Sequence, residues 1–458
     1  MGTKSDPFLK KLASGQSACP LIKIGIMDNK HEVEMDLKGA FTLNNDTHAS
    51  GIFYAKTQHG KISLYDKNKN IILSSNEIVF KNNGDSFFTL FHVKIGIDFH
   101  WEKREKQSFR GDLILKKRMD ETIAVINEIS LEDYLESVIS SEMNSTAPIE
   151  FLKAHAIISR SWFISAIHKK NKSVKKTRPF SPQETENNTI IKWYEQEGHD
   201  IYDVCADDHC QRYQGITKIT TDNPSKAVKE TYGLVLTYKG EICDTRYSKA
   251  CGGITEEYKT AWKDMDIPYL KSISDAEKAY KPIEDEEDAR LWILWRPNAF
   301  CNVDDINILK TILPDFDLKT QGFFRWKVTY HRQELEDIIK KRSGHDLGTL
   351  IDIKPIKRGP SGRVFLLEIT GTKKTITIGK ELEIRRWLSH THLLSSAFIV
   401  ETKRNPSGEA ESFTFFGAGW GHGVGLCQIG AGVMAIKGYT AQEILRHYFP
   451  DTKLEKVY

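Results

Sequence analysis

Long apolar runs are missing from this chain. Leu291-Trp292-Ile293-Leu294-Trp295 is among the longest, far short of the roughly 18 residues that suggest a membrane span. A bias of charge is missing too. Lys and Arg number 65 against 62 Asp and Glu, a net +3, which argues against a polybasic nucleic-acid tail and against a disordered chain. Cysteine is sparse, 7 in 458 residues, too few for a disulfide scaffold. The opening Met1-Gly2-Thr3-Lys4-Ser5-Asp6-Pro7 has no apolar h-region, so no signal peptide is expected in the sequence as it stands. A cytosolic protein and a mature exported domain both fit that start. There is no internal repeat and no extended low-complexity tract. What is present, 40% hydrophobic and 28% charged residues, is ordinary for a folded chain of two or three domains.

The apolar pattern changes period along the chain. Residues 1–19 read as a tail. From Pro20 short strand-like stretches follow one another: Leu21 to Ile26, Ile62 to Tyr65, Ile71 to Leu73 and Phe87 to Ile95. Residues 20–118 are therefore expected to form a β-rich N-terminal domain. Ser130 followed by Asp133 marks a helix start. Leu131, Tyr134, Leu135, Val138, Ile139 and Glu142 then fall on one helical face. Asn144-Ser145-Thr146 breaks that helix, and Pro148 opens a second one carrying Phe151, Ala154, His155, Ile158, Trp162 and Ala166. His155, spaced from Phe151 and Ile158, reads as a core residue. Lys169 to Asn188 reads as a basic, polar loop. Residues 276–345 are charge-rich and read as an insertion or small helical subdomain between core segments 119–275 and 346–458. Val364 to Ile369 and Thr375 to Ile378 flank Gly371 as a hairpin. Helices and strands in separate blocks give an α+β expectation, with a glycine-rich C-terminal motif at the end.

Four groups of residues carry chemistry. Glu142 extends an apolar helical stripe near a helix C-terminus, a placement suited to a general acid. An ion pair with a cation such as Arg160 is the plainer alternative. His199, Cys205, His209 and Cys210 offer two imidazoles and two thiols, a set that suits tetrahedral Zn2+. Adjacent His209 and Cys210 cannot both point inward from a regular strand, so a three-ligand site of His199, Cys205 and Cys210 fits equally, as does a Cys205–Cys210 disulfide. Tyr247 precedes Cys251-Gly252-Gly253 and could stack on a sugar ring. Cys251 could pair with Cys243 in an oxidising compartment or stay a buried thiol. Phe415 to Ala431 holds six glycines around His422 and Gln428. It lacks the Gly-Lys-Ser/Thr ending of a phosphate loop and the dinucleotide fingerprint, so its glycines are read as permitting close backbone approach.

Taken together these segments resemble the SpoIID/LytB family. Leu131 to Phe163 resembles its glutamate helix and second helix. Asp203 to Gly215, Cys251 to Thr255, Trp262 with Pro268-Tyr269-Leu270, Ser361-Gly362-Arg363, Arg385, Leu394 to Ser396 with Phe398, and Gly417 to Ala431 also match. His155 and Asn144 depart from the usual glutamine and proline. The resemblance implies a bacterial cell-wall protein acting outside the cytoplasm as a lytic transglycosylase on peptidoglycan glycan strands stripped of stem peptides. Glu142 would be the single acid/base, passing a proton while the muramoyl 6-hydroxyl attacks C1 to leave a 1,6-anhydro end. Zn2+ would sit on His199, Cys205 and Cys210, with His209 as a fourth partner. Arg160, Tyr247, His422 and Gln428 would line the glycan groove. The other reading implied is a non-catalytic, glycan-binding enhancer of a cell-wall amidase.

Overall fold

Local sequence accounts for the first strands directly. Val33, Met35 and Leu37 alternate with Glu34 and Asp36, and the three apolar side chains are buried while their neighbours are not. That period of two is what a sheet with one covered face requires. In the computed structural model, which describes residues 19–44, 47–97, 102–173, 183–186, 188–194, 199–320 and 322–458, nine strands follow in succession. They are β1 (Leu21–Lys30), β2 (Glu32–Leu43), β3 (Thr47–Gln58), β4 (Lys61–Asp66), β5 (Ile71–Ser75), β6 (Glu77–Ile95), β7 (Lys103–Phe109), β8 (Asp112–Lys117) and β9 (Ile123–Ser130). Their order is β1-β9-β8-β6-β2-β3-β4-β5, with β7 also on β6 and the two-residue strand Val204–Cys205 added outside β1. The expected tail lies outside the described residues apart from Cys19, as does half of the expected 169–188 loop. The described part of that loop extends the second helix to Ser173 and adds the strand Gln183–Glu186.

β9 runs straight into the helix Leu131–Glu142. Ser130 Oγ accepts the Asp133 N–H at 3.1 Å, the capping expected from the sequence. The next helix, Ile149–Ser173, is buried on every side from Phe151 to Ile158 except at Lys153. His155 is fully buried there, 3.2 Å from Ser159 Oγ and edge-on to Phe151.

The chain divides into two units: Met1–Lys170 with Gly198–Val235 and Glu455–Tyr458, and Asn171–Glu197 with Leu236–Leu454. The first holds β1 to β9 and the two helices. The second has two larger sheets. One has the order Gln183–Glu186, Thr189–Lys192, Thr375–Gly379, Val364–Gly371, Leu350–Arg358, and contains the expected hairpin with Ile369 opposite Ile376. The other places Ala410–Ala418 between Arg325–His331 and Phe398–Arg404. The 276–345 segment thus contributes a strand to a sheet of the second unit, as well as the helices Glu286–Leu294, Ile306–Ile312 and Arg332–Ser343. Phe413, Phe415, Leu367, Ile376, Ile384 and Trp387 are among the residues of one core here. The result is a mixed α+β fold with a strand-rich N-terminal region. Among the described residues no helix is long and apolar enough to cross a membrane.

The second unit carries a pH-sensitive histidine. Burial first, then Arg385, Arg342 and Arg386, push the His392 imidazole down to about 3. In the unfolded chain the ring protonates near about 6.5, so acidification from there towards 3 favours unfolding. His392→Gln is expected to give a shallower fall in stability below about pH 6.5, read from urea midpoints. A slope identical to wild type would refute this role.

Candidate functional site

The expected ligand residues are assembled by the outer edge of the first sheet. Asp203 N–H donates to Lys23 O at 2.9 Å and Ala206 N–H to Gly25 O at 3.0 Å, which seats Val204–Cys205 parallel to β1. Gly25 is required at this edge. A Cβ there would stand 2.6 Å from the Tyr202 ring. Arg118 joins Asp28 to Asp200 and so secures the loop beside His199. The Asp207 carboxylate accepts the Gly96 and Ile97 N–H groups at 3.3 and 3.2 Å, and Cys210 N–H closes a turn onto Asp207 O.

That turn resolves the difficulty with adjacent ligands. His209 and Cys210 lie in a turn and not in a strand, so both reach the same point. The four ligand atoms of His199, Cys205, His209 and Cys210 lie within 4.8 Å of one another. His199 Nε2 is 3.4 Å from Cys210 Sγ, and His209 Nδ1 is 3.5 Å from Cys210 Sγ and 3.9 Å from Cys205 Sγ. Zinc–sulfur bonds of about 2.3 Å and zinc–nitrogen bonds of about 2.0 Å give tetrahedral edges of roughly 3.5 to 3.8 Å. The donors therefore fit one ion. No disulfide links Cys205 to Cys210, and none links Cys243 to Cys251. Contact with Cys210, against the cost of burial and helped by His199 and His209, holds the Cys205 thiol far below its usual value.

Glu142 ends its helix in a buried position, where Oε1 accepts the Arg212 N–H at 3.1 Å. Arg212 in turn pairs with Asp208, whose carboxyl burial pushes up to about 7 against the pull of Arg212. Glu142 is thus joined through Arg212 to the loop that carries His209 and Cys210. Sequence reading assigned no role to Asp208 or Arg212. Their only signal was position, within the Asp203 to Gly215 segment.

Arg160 is placed differently from the expectation. It is fully buried, and its guanidinium donates to both oxygens of Glu132 at 2.8 and 2.6 Å and to Leu234 O at 2.9 Å. The Tyr458 hydroxyl also donates to Glu132. The partner of Arg160 is therefore Glu132, and not Glu142. A guanidinium enclosed in this way does not line a groove.

Tyr247, His422 and Gln428 belong to the second unit. Tyr247 and Ser248 pair in parallel with Leu426 and Cys427. Gly425 permits this at φ 75°, since a Cβ would fall 2.1 Å from Arg246 O. The buried Arg363 holds the same segment, donating to Gly421 O at 3.1 Å and Cys251 O at 2.9 Å. Gln428 is buried in the first turn of the helix Gln428–Ile436, so it too departs from a groove-lining place. His422 is half-buried and stands edge-on to Trp262 with ring centres 4.8 Å apart. Burial, with Arg246, Arg363 and Arg385 adding to it, keeps its imidazole well below the usual range and so neutral at pH 7. Arg246 lies 4.4 Å from the Trp262 ring centre, and Tyr258 stacks on Trp262 at 5.0 Å. Trp262 and Arg246, half-exposed beside Tyr247 and His422, received no role from the sequence. A tryptophan in a matched segment was the available signal.

Comparison with known proteins places these units. A family model described as Stage II sporulation protein matches residues 119–238, and a domain of unknown function (DUF8618) matches residues 256–425. The amidase enhancer of Bacillus subtilis (strain 168) is 24% identical over 333 residues, covering 70% of this chain and 40% of the enhancer. Stage II sporulation protein D of Bacillus amyloliquefaciens is 24% identical over 325 residues, 71% of this chain and 74% of that protein. An uncharacterised protein of Brachyspira hyodysenteriae is 23% identical over 435 residues, 94% and 91% of the two chains. The expectation of an independent lytic transglycosylase is corrected by these findings, because the enhancer is named for an accessory role towards another enzyme. The family model over residues 119–238 and the matches to sporulation and enhancer proteins thus mark the chain as similar to the SpoIID/LytB-like family, with the glutamate helix and the histidine–cysteine loop inside the matched region.

Proposed function

We propose that this protein is a non-catalytic accessory of cell-wall remodelling, which binds peptidoglycan glycan strands outside the cytoplasm and stimulates a partner amidase. The match to an amidase enhancer over 333 residues carries the reading; the chain spans 40% of that protein's length. The geometry supports it with a half-exposed group of Arg246, Tyr247, Trp262 and His422. Aromatic faces of this kind take the apolar face of a sugar ring. Arg246 beside them is neutralised by Asp244 at 2.8 and 2.9 Å, so it offers its remaining N–H groups to sugar hydroxyl and amide oxygens rather than a free charge. The glycine-rich segment presents His422 to this surface as a neutral hydrogen-bonding group.

In this reading Zn2+ is held by His199, Cys205, His209 and Cys210. Four protein ligands leave no open position, so the ion is structural. It fixes the loop from which Arg212 reaches Glu142. Glu142 then acts as a positioning residue, accepting the N–H that follows the ligand turn.

The test combines pelleting with purified glycan, denuded or peptide-bearing, and an amidase assay with and without the protein. Retention on glycan and a faster amidase are expected, with no fragment released by the protein alone. An unchanged amidase rate would sink the proposal. Trp262→Ala is expected to weaken glycan binding about tenfold, corresponding to ~1.4 kcal/mol, with its melting curve as the control for folding.

A further inference from the structure

The second unit contains another group of metal-ligand donors, away from the histidine–cysteine loop in sequence. Cys251, Asp275, Cys301 and Cys427 are all buried, and their ligand atoms lie within 4.8 Å of one another. We propose that these four residues form a second metal site, a buried three-thiolate, one-carboxylate set for a single thiophilic divalent cation such as Zn2+, which ties the 276–345 segment to the rest of its unit.

Three observations carry this. The first is spacing. Cys251 Sγ and Cys301 Sγ are 3.8 Å apart, the edge of a tetrahedron with metal–sulfur bonds of about 2.3 Å. A disulfide needs about 2.05 Å, and an iron–sulfur cluster spreads its cysteines over several irons, wider than one ion does. The second is the carboxyl group. Asp275 is 0% exposed. It accepts the Cys301 N–H at 2.9 Å and the Tyr448 hydroxyl, two donors that fix its orientation beside the sulfurs. Among the described residues no lysine, arginine or histidine forms an ion pair with it, so a bound cation has no protein charge to displace.

The third is the surroundings of the sulfurs. Cys251 N–H donates to Cys427 Sγ at 3.2 Å, and Gly253 N–H to Cys251 Sγ at 3.4 Å. Such amide donors orient thiolate ligands. Cys427 is also the N-cap of the nine-residue helix Gln428–Ile436, where the helix end favours a thiolate. The fold has been shaped around the cluster: a Cβ on Gly430 would stand 2.2 Å from Asp275 Oδ1. The four ligands come from the Cys251-Gly252-Gly253 turn, two loops and the end of the glycine-rich segment. One ion therefore joins segments up to 176 residues apart.

Metal quantification on the full chain, purified with Zn2+ and without chelator, tests the site independently of glycan binding. Wild type is expected to hold two ions per chain, one at each cluster. Cys205→Ser/Cys210→Ser is expected to keep one, and Cys301→Ser is expected to keep one. The double variant leaves the second unit's sequence untouched, so its metal content decides the matter whether or not Cys301→Ser folds. Loaded with Co2+, it is expected to show sulfur-to-cobalt charge-transfer absorption and tetrahedral visible bands, both lost on adding Cys301→Ser. A metal-free double variant would overturn the proposal, as would a Cys251–Cys301 disulfide in non-reducing peptide mass spectra.

Discussion

Replacing Arg160 by leucine is expected to destabilise the first unit by about 3–5 kcal/mol, the usual effect of breaking a buried ion pair. The substitution leaves the Glu132 carboxylate, with only 10% of its side chain exposed, enclosed without its counter-charge. Tyr458 and the Gly233 N–H still donate to it, but neither carries a charge. The paired change Arg160→Leu/Glu132→Leu removes both charges and is expected to recover most of the loss, since a buried pair is often worth little against apolar residues of similar volume. Urea unfolding of the three proteins measures both effects. A single variant within about 0.5 kcal/mol of wild type would show that the pair is solvated. The same variant also separates a structural role from a glycan contact: at temperatures where it remains folded, its retention on glycan should match wild type.

Breaking the proposed zinc site of the histidine–cysteine loop should have an effect at least as large. Cys205→Ser/Cys210→Ser is expected to lower the melting temperature of the first unit by about 10 °C or more. Structural zinc supplies about 10–16 kcal/mol in small zinc-finger peptides. Here part of the loop order survives without it, through the hydrogen bonds of Asp203 and Ala206 to β1 and of Asp207 to Gly96 and Ile97. Differential scanning calorimetry with and without Zn2+ gives the comparison. A wild-type protein whose melting does not respond to metal removal would mean that the loop is held by its backbone contacts alone.

How far these features could be read beforehand depends on the range over which they are encoded. The helix Leu131–Glu142 and its Ser130 cap, the Ile369–Ile376 hairpin and the core position of His155 follow from residues within a few places of one another. The ligand set His199, Cys205, His209 and Cys210 falls within 12 residues of sequence, and its composition alone suggests a metal. Whether three or four of them converge does not follow from spacing, because it depends on a turn at His209. That turn is set by Asp207 reaching Gly96 and Ile97, over 100 residues away.

Arg160 shows the limit most clearly. On a helix, an arginine facing Glu132 cannot be told from one facing Glu142, since both carboxylates lie on the preceding helix. Packing chooses Glu132, 28 residues away, and Tyr458 from the chain end completes the enclosure. Trp262 and Arg246 likewise become a surface only when His422, more than 150 residues further on, is brought beside them.

The amino-acid order alone determined the alternation of β2, the two consecutive helices, the α+β class and the histidine–cysteine ligand types, because each is written in the period or chemistry of neighbouring residues. Tertiary structure decided the Arg160–Glu132 pair, the link from Glu142 through Arg212 to Asp208, and the gathering of Cys251, Asp275, Cys301 and Cys427. These contacts depend on which distant segments the topology brings together. A single buried charge or thiol has no local pattern that names its partner.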